Sequence, residues 1–274
     1  MNYKIIATDL DGTLFDKTMD VSAENARAIS RLTQLGVHVV PTTGRALGEM
    51  PDSVKKNPDI RYIISSNGAL IHDMKTGKCE KLCMKKELSQ KVFSILFSYE
   101  TESLVHYNEN SYVDADKHNE ENYIYHNLNE IYRKLIFKFN VPAPDFKNFC
   151  YSMEDVEMIC TSFHSTAERE ECIKKLSELN DVLLVSTTPY NLEVFHANTS
   201  KGTALCRLCE MLDIDISETI GMGDSGNDIP LLNNTGLSLA VENAAPHLKE
   251  AADEIICSNE EHAMKYVLEN FIEK

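Results

Sequence analysis

The sequence predicts an α/β fold with a doubly wound, mainly parallel, Rossmann-like sheet and an inserted α+β cap domain. Short apolar segments alternate with amphipathic helical segments at both ends of the chain, and this alternation is typical of a parallel sheet. In the middle the pattern changes to closely spaced hairpins. The length of 274 residues suits one large or two modest domains, and a chain that is 43% hydrophobic can bury a sizeable core.

The first part of the chain reads as strand, helix, strand, strand. The helix covers 22–35, with Ser22 as its N-cap and Gly36 as its stop signal. The predicted strands are Tyr3–Ala7, Val37–Val40 and Tyr62–Ser65.

Two hairpins follow, one around the turn at 75–78 and one with strands 103–108 and 111–115. The rest of this module is predicted as a polar helical stretch (118–135), a strand (157–163), a helix (167–179) and two strands (182–187 and 191–196).

After His196 the first pattern resumes. Helices are predicted at 201–212, 228–232, 246–251 and 260–272, and strands at 219–222, 237–241 and 254–257. We therefore expect a discontinuous core domain, 1–83 plus 195–274, interrupted by a cap domain at 84–194.

The charge balance excludes several kinds of partner. The chain has 43 acidic and 27 basic residues, a net charge of −16, and would repel nucleic acids and anionic membranes. No run of 18 apolar residues is present, and the first residues do not resemble a signal peptide. We expect a cytoplasmic protein with no membrane segment.

The eight cysteines are scattered and read as free thiols. Cys206 and Cys209 form a C-x-x-C pair, but a structural zinc site needs a second ligand pair and none stands nearby. Their helical spacing favours thiols buried on a helix face.

Carboxylates follow the first predicted strand, at Asp9 and Asp11. In extended chain, residues two apart point the same way, so both can face one cavity. Gly12 permits a sharp turn there. A polar turn that merely closes the strand is the alternative interpretation.

Similar signals follow other predicted elements. Thr43, Gly44 and Arg45 come after the second strand, where a hydroxyl and backbone N–H groups can hold a phosphate oxygen; an ordinary turn is the alternative. Lys201 lies at a helix start, where the helix dipole disfavours a cation, so a local anion is expected. A solvated lysine is the alternative there. Asp224 and Asp228 lie among glycines after a third strand and suit a hard cation.

Taken in order, DLDGT, TTGR, SKG and GDSGND resemble the motifs of the haloacid dehalogenase-like (HAD) phosphatase superfamily. The long module between the second and third motifs resembles the C2B cap of the Cof-type subfamily, and 66–69 matches its S/T-N-G-A stretch. Pro41 departs from the small apolar residue usual before TTGR.

The resemblance implies roles for these residues. Asp9 would be the nucleophile and Asp11 the general acid and base. Mg²⁺ would be held by the Asp9 and Asp224 carboxylates and the Asp11 backbone carbonyl. Thr43 and Lys201 would contact the phosphate, and Asp228 would orient Lys201 or a metal-bound water. Substrate contacts would come from Gly44, Arg45, Asn67 and Asn227. For Arg45 the alternative is a surface salt bridge, and for Asn67 a turn residue.

These implications describe a Mg²⁺-dependent phosphatase that hydrolyses a small phosphorylated metabolite through an aspartyl phosphate. Sugar phosphates, flavin mononucleotide and pyridoxal phosphate all fit. A phosphomutase of the same superfamily and a non-catalytic regulator that binds phosphometabolites are the alternatives. Candidate substrate contacts in the cap are Tyr107, Tyr112, His118 and Tyr190. The sequence indicates neither the substrate nor the oligomeric state.

Overall fold

The computed structural model describes residues 3–186 and 188–274. Its contacts divide the chain into two compact units, which we call the core unit (to residue 45, 50–81 and 200–274) and the insert unit (46–49 and 82–199). The sequence-based boundaries, 1–83 plus 195–274 and 84–194, differ by a few residues and omit the excursion at 46–49. That the insert unit acts as a cap stays a prediction.

The helices and strands alternate as follows. The strands are β1 (Ile5–Thr8), β2 (His38–Pro41), β3 (Tyr62–Ser65), β4 (Leu70–Asp73), β5 (Lys78–Lys81), β6 (Met84–Lys85), β7 (Thr101–Tyr107), β8 (Asn110–Asp114), β9 (Val141–Ala143), β10 (Asp155–Phe163), β11 (Val182–Val185), β12 (Asn191–His196), β13 (Thr219–Gly223), β14 (Leu237–Val241) and β15 (Glu254–Ile256). The helices are α1 (Ala23–Gln34), α2 (Asp52–Lys55), α3 (Lys86–Leu96), α4 (Glu120–Tyr125), α5 (Glu130–Phe139), α6 (Phe146–Ser152), α7 (Thr166–Leu176), α8 (Lys201–Leu212), α9 (Ile229–Leu232), α10 (Pro246–Ala251) and α11 (Ala263–Val267).

The core unit is built on a parallel sheet with strand order β15-β14-β13-β1-β2. All four pairings are parallel, with Ile5 beside both Thr219 and His38. A parallel bridge between Thr42 and Ile64 places β3 beside β2, and β4 and β5 continue antiparallel. The predicted α/β class with a mainly parallel sheet is confirmed.

Both the Ser22 cap and the hairpin at 75–78 are confirmed. The Ser22 hydroxyl accepts from the Asn25 backbone N–H and so begins α1, whose buried residues pack on β2 and α11. β4 and β5 flank the predicted turn.

Parallel strands bring their carboxyl ends to one edge of the sheet. β1 ends directly before Asp9, β2 before Thr42 and β13 before Asp224. β3, which runs parallel to β2, ends before Ser66 and Asn67. The sheet therefore collects the predicted motif residues at one edge.

The insert unit contains an antiparallel sheet with the order β11-β12-β10-β7-β8-β9, in which only the β8–β9 pairing is parallel. One face packs on the apolar sides of α3, α6 and α7. On the other face Val113 packs with Tyr123 and Ile136, from α4 and α5. The hairpin predicted at 103–115 is confirmed as β7–β8, and its turn residues Asn108 and Glu109 both have positive φ.

Several helical predictions need correction. The stretch 118–135 is two helices, because Asn127 has a left-handed φ of 60° and Asn129 caps a new helix by accepting from the Tyr132 N–H. The last helix begins at Ala263, after the left-handed His262. Helices α2, α3 and α6 were not predicted. The strand predicted at 182–187 ends at Val185, and Thr187 lies outside the described residues.

A buried acid lies on β7 of the insert unit. Glu102 is 4% exposed, and its Oε2 accepts from Asn122 Nδ2 at 2.7 Å. Its Oε1 is buried and has no hydrogen-bond partner among residues 3–186 and 188–274. Burial, opposed by the Asn122 hydrogen bond, raises the pKa of Glu102 to about 7. The folded protein therefore favours the neutral acid.

We expect Glu102→Gln to stabilise the protein above pH 7. Because the pKa of Glu102 is raised in the folded state, its contribution to stability is fully present below the unfolded-state pKa of 4.5. This contribution is lost as the pH rises through about 7. The loss approaches about 3 kcal/mol at pH 8, since each pKa unit is worth about 1.4 kcal/mol. Urea unfolding at pH 5 and pH 8 should show Glu102→Gln near wild type at pH 5 and more stable at pH 8. The exposed Glu121→Gln serves as the control, and an equal effect of Glu102→Gln at both pH values would contradict the burial argument.

Candidate active site

The loop after β1 approaches the loop after β13 closely. Asp9 donates its backbone N–H to the Met222 carbonyl at 3.0 Å, which fixes the start of the loop. Gly12 has a φ of +79°, and a Cβ added there would lie 2.6 Å from Asp224 Oδ2. Glycine is required at this position both for its backbone conformation and for space.

Lys201 is the buried cation of the site. It is the first residue of α8, after the N-cap Ser200, and is 1% exposed. Its Nζ lies 2.6 Å from Asp9 Oδ1 and 2.6 Å from Asp228 Oδ1. Burial alone would lower the pKa of Lys201, but the Asp228 and Asp9 carboxylates outweigh it and raise the pKa. The anion expected at this helix start is present, as two carboxylates of the protein itself.

Asp228 has both carboxylate oxygens committed to the protein. Oδ1 accepts from Lys201, and Oδ2 accepts from the backbone N–H groups of Asp224 (3.0 Å) and Ser225 (3.1 Å). Its side chain is fully buried. This arrangement suits a residue that holds Lys201 and the Asp224 loop in place.

Carboxylates crowd this edge of the sheet. Asp9, Asp224 and Asp228 each offer an oxygen, and these atoms lie within 4.8 Å of one another. Only the Lys201 ammonium is paired with them in the contacts described, so two negative charges stay unbalanced when all three acids are ionised. Burial, reinforced by Asp228, raises the pKa of Asp224 to about 6. Clustered carboxylate oxygens with an excess of two negative charges fit a hard divalent cation such as Mg²⁺.

Asp11 has a different partner. Arg45 forms a bidentate pair with it, Nε to Oδ2 at 2.7 Å and Nη2 to Oδ1 at 2.6 Å. The guanidinium also lies over the Phe15 ring, 5.6 Å from its centroid, and the Arg45 side chain is 11% exposed. A salt bridge was the alternative interpretation of Arg45; it exists, but it joins Arg45 to another candidate site residue.

The candidate substrate contacts lie together. Asn67 donates its backbone N–H to the Thr43 carbonyl at 2.9 Å, and Asn227 Nδ2 donates to Asn67 Oδ1 at 3.1 Å. A Cβ added to Gly44 would lie 3.3 Å from the Asn67 amide. Ser66 and Asn67 both have left-handed φ, 49° and 53°. Two consecutive non-glycine residues in this conformation cost roughly 1–3 kcal/mol each, which is typical of functional loops.

Sequence reasoning missed the loop that supports this site after β14. Asn243 Nδ2 donates to the Gly12 carbonyl at 2.7 Å, and the Ala245 N–H donates to the Asp224 carbonyl at 2.8 Å. These bonds hold the loops after β1 and β13. Asn243 could have been found from its place just after a parallel strand, where site residues collect.

The cysteine prediction is correct only in part. All eight cysteines are free thiols. On α8, Cys209 is buried but Cys206 is only half-buried, with its Sγ 3.8 Å from Asn234 Oδ1. Among the described residues, no helix combines the length and apolarity needed to cross a bilayer.

The close approach at Gly12 predicts an unequal cost for two glycine substitutions. Gly36 has a similar φ, +82°, but nothing within 4 Å of an added Cβ. Gly36→Ala should lower the free energy of unfolding by about 1 kcal/mol, because only the backbone is strained. Gly12→Ala should cost more, about 2–3 kcal/mol, because the Asp224 side chain must also move away from the added Cβ.

Chemical denaturation of the two variants measures this difference. In the double variant Gly12→Ala/Asp224→Ala, part of the lost free energy of unfolding should be recovered, so the two effects should not be additive. Equal destabilisation by Gly12→Ala and Gly36→Ala would show that the Asp224 side chain moves aside without cost, and would contradict this prediction.

Known proteins resemble this chain over nearly its whole length. The family model of haloacid dehalogenase-like hydrolases matches residues 6–268. A 5-amino-6-(5-phospho-D-ribitylamino)uracil phosphatase of Bacillus subtilis is 26% identical over 99% of this chain and 97% of its own. A haloacid dehalogenase-like hydrolase of B. subtilis superposes with a TM-score of 0.80 at 27% identity, covering 98% and 100% of the two chains. A HAD subclass IIB sugar phosphatase shares the fold, with a TM-score of 0.79 at 19% identity and 98% of each chain covered. The chain therefore belongs to the haloacid dehalogenase-like hydrolase family and is an enzyme of the phosphoric monoester hydrolase class.

Proposed function

We propose that this enzyme is a Mg²⁺-dependent phosphatase of a small phosphorylated metabolite and that Asp9 is its nucleophile. The observation that carries the proposal is the Asp9 carboxylate at the end of β1, held 2.6 Å from the buried Lys201 within a set of carboxylates that fits a divalent cation. The B. subtilis relative, named for a phosphorylated ribitylaminouracil, supports a small substrate.

The first chemical step is an in-line displacement at phosphorus. An Asp9 oxygen bonds to phosphorus while the bond to the leaving oxygen breaks, which leaves a phosphorylated Asp9. Asp11 gives its proton to the leaving oxygen, because an alkoxide is a poor leaving group. Arg45 now occupies both Asp11 oxygens, so it has to release one of them before Asp11 can carry a proton.

In the second step, water attacks the phosphorus of phosphorylated Asp9. Asp11 takes the proton of the water, the bond between phosphorus and the Asp9 oxygen breaks, and inorganic phosphate leaves with Asp9 restored. Because Asp11 gives a proton in one step and takes one in the next, the cycle balances without another acid.

Positive charge and hydrogen-bond donors have to offset the charge of the phosphoryl group. We expect the buried Lys201 and Thr43 to hold phosphate oxygens and Asn227 to donate a hydrogen bond. Asp9 and Asp224, with the Asp11 backbone carbonyl, would hold Mg²⁺. When bound, the ion supplies the charge that lets a carboxylate and a phosphate approach each other. Asp228 keeps Lys201 in place.

The insert unit is proposed to act as the cap that selects the leaving group. Within that unit, Tyr107 and Tyr112 pack edge-on against Phe149, at 6.3 and 5.0 Å between centroids, and His118 Nδ1 lies 2.6 Å from the Tyr123 hydroxyl. Packing therefore accounts for these three candidates, while the half-buried Tyr190 stays a candidate for substrate contact.

We expect Asp9→Asn to lower turnover by at least about 10³-fold, because an amide is a far weaker nucleophile than a carboxylate. The measurement is hydrolysis of a panel of phosphorylated metabolites with Mg²⁺, combined with mass spectrometry of acid-quenched enzyme. Wild type should carry phosphate on the peptide containing Asp9, and Asp9→Asn should not. The exposed Asp52→Asn is the matched control. An Asp9→Asn enzyme within tenfold of wild type would refute the proposed mechanism.

A further inference from the structure

The four residues Ala46–Glu49 come directly after Arg45 yet pack with the insert unit, whereas the residues on either side belong to the core unit. They form a tight turn, in which the Glu49 N–H donates to the Ala46 carbonyl at 3.0 Å. The Glu49 carboxylate closes the turn from the other side, because its Oε2 accepts from the Ala46 N–H at 2.8 Å. Glu49 therefore closes the turn with both its backbone N–H and its side chain.

This turn is held on the β7–β8 hairpin. Gly48 donates its N–H to the Glu109 carbonyl at 2.7 Å, and a Cβ on Gly48 would lie 2.7 Å from Asn110 Oδ1. His106 Nε2 lies 3.5 Å from Glu49 Oε2, with the two side chains only 3% and 14% exposed. Backbone bonding, close approach and a nearly buried polar contact together make this a specific attachment.

Arg45, the residue directly before this turn, contacts two other candidate site residues, Thr43 and Asp11. The Arg45 N–H donates to Thr43 Oγ1 at 3.2 Å, and the Arg45 guanidinium holds Asp11. Arg45 and Ala46 share a peptide bond, so their Cα atoms stay about 3.8 Å apart. A shift of the 46–49 turn is therefore passed directly to the Arg45 backbone.

We propose that Glu49 is a positioning residue for the phosphatase reaction. By closing the 46–49 turn on the β7–β8 hairpin, Glu49 fixes the position of the Arg45 backbone. That position determines where the Thr43 hydroxyl lies and how readily Arg45 releases Asp11. Phosphate binding then depends on a residue that touches neither the phosphate nor the metal ligands. The inference rests on the proposed function.

The test compares Glu49→Ala, Glu49→Gln and Gly48→Ala with Glu154→Ala, an exposed acid of the insert unit that pairs with Lys86 at the surface. The readouts are kcat and KM on para-nitrophenyl phosphate, calorimetric binding of inorganic phosphate, and the melting temperature. Glu49→Ala and Gly48→Ala should lower kcat/KM by about tenfold or more and weaken phosphate binding to a similar extent, about 1.4 kcal/mol. Glu49→Gln should stay within about threefold of wild type, because its carbonyl still accepts from Ala46.

A purely structural role predicts a lower melting temperature with kcat/KM and phosphate binding unchanged in the folded variants, and that result would overturn the proposal. If Glu49→Ala does not fold, Gly48→Ala carries the same test, because it displaces the turn without removing a charge. Failure of the proposed function would look different: wild type would not hydrolyse phosphate esters, while the order of phosphate affinities among the variants would still report on Glu49.

Discussion

The site depends on one buried cation between carboxylates. Lys201 has almost no access to solvent and lies 2.6 Å from both Asp9 and Asp228. A buried ion pair loses the hydration of each ion, so it is maintained only when the remaining donors and acceptors are also satisfied. Both carboxylate partners of Lys201 are themselves held by hydrogen bonds. Asp9 donates its backbone N–H, and the Asp228 carboxylate accepts from two N–H groups of the loop after β13. The ammonium therefore joins α8 to the loops after β1 and β13.

Among the residues that the structure describes, the negative charge of this cluster is not balanced. Three carboxylates share one ammonium, and the raised pKa of Asp224 reflects burial together with the neighbouring Asp228 charge. Evolved sites accept such a cost where a ligand offsets it. A divalent cation would neutralise the excess, and a phosphate dianion could then approach Asp9. The same reasoning explains why an acidic protein with a net charge of −16 can handle a phosphorylated substrate.

Much of this arrangement was predictable because it follows from strand direction. Parallel strands bring their carboxyl ends together, so polar motifs after β1, β2, β13 and β3 had to meet, and Asp9, Thr43, Asp224 and Asn67 could be named from sequence. The pairing of Arg45 with Asp11 could not, because bidentate contacts between distant loops leave no local pattern. The 46–49 turn could not be predicted either, because His106 and Asn140, the partners of Glu49, lie far along the chain and only the fold brings them together. The break between α4 and α5 depends on the left-handed Asn127, which composition alone did not indicate.

If the carboxylates at the sheet edge require a divalent cation, the protein should bind Mg²⁺ in the absence of substrate. Isothermal titration of the wild-type protein with MgCl₂, without substrate, should show one ion per chain. Asp224→Asn should weaken the affinity by about tenfold or more, since it removes a charged ligand. The exposed Asp52→Asn should leave the affinity unchanged. Absence of Mg²⁺ binding in wild type, or equal affinity in Asp224→Asn, would show that these carboxylates do not form a cation site.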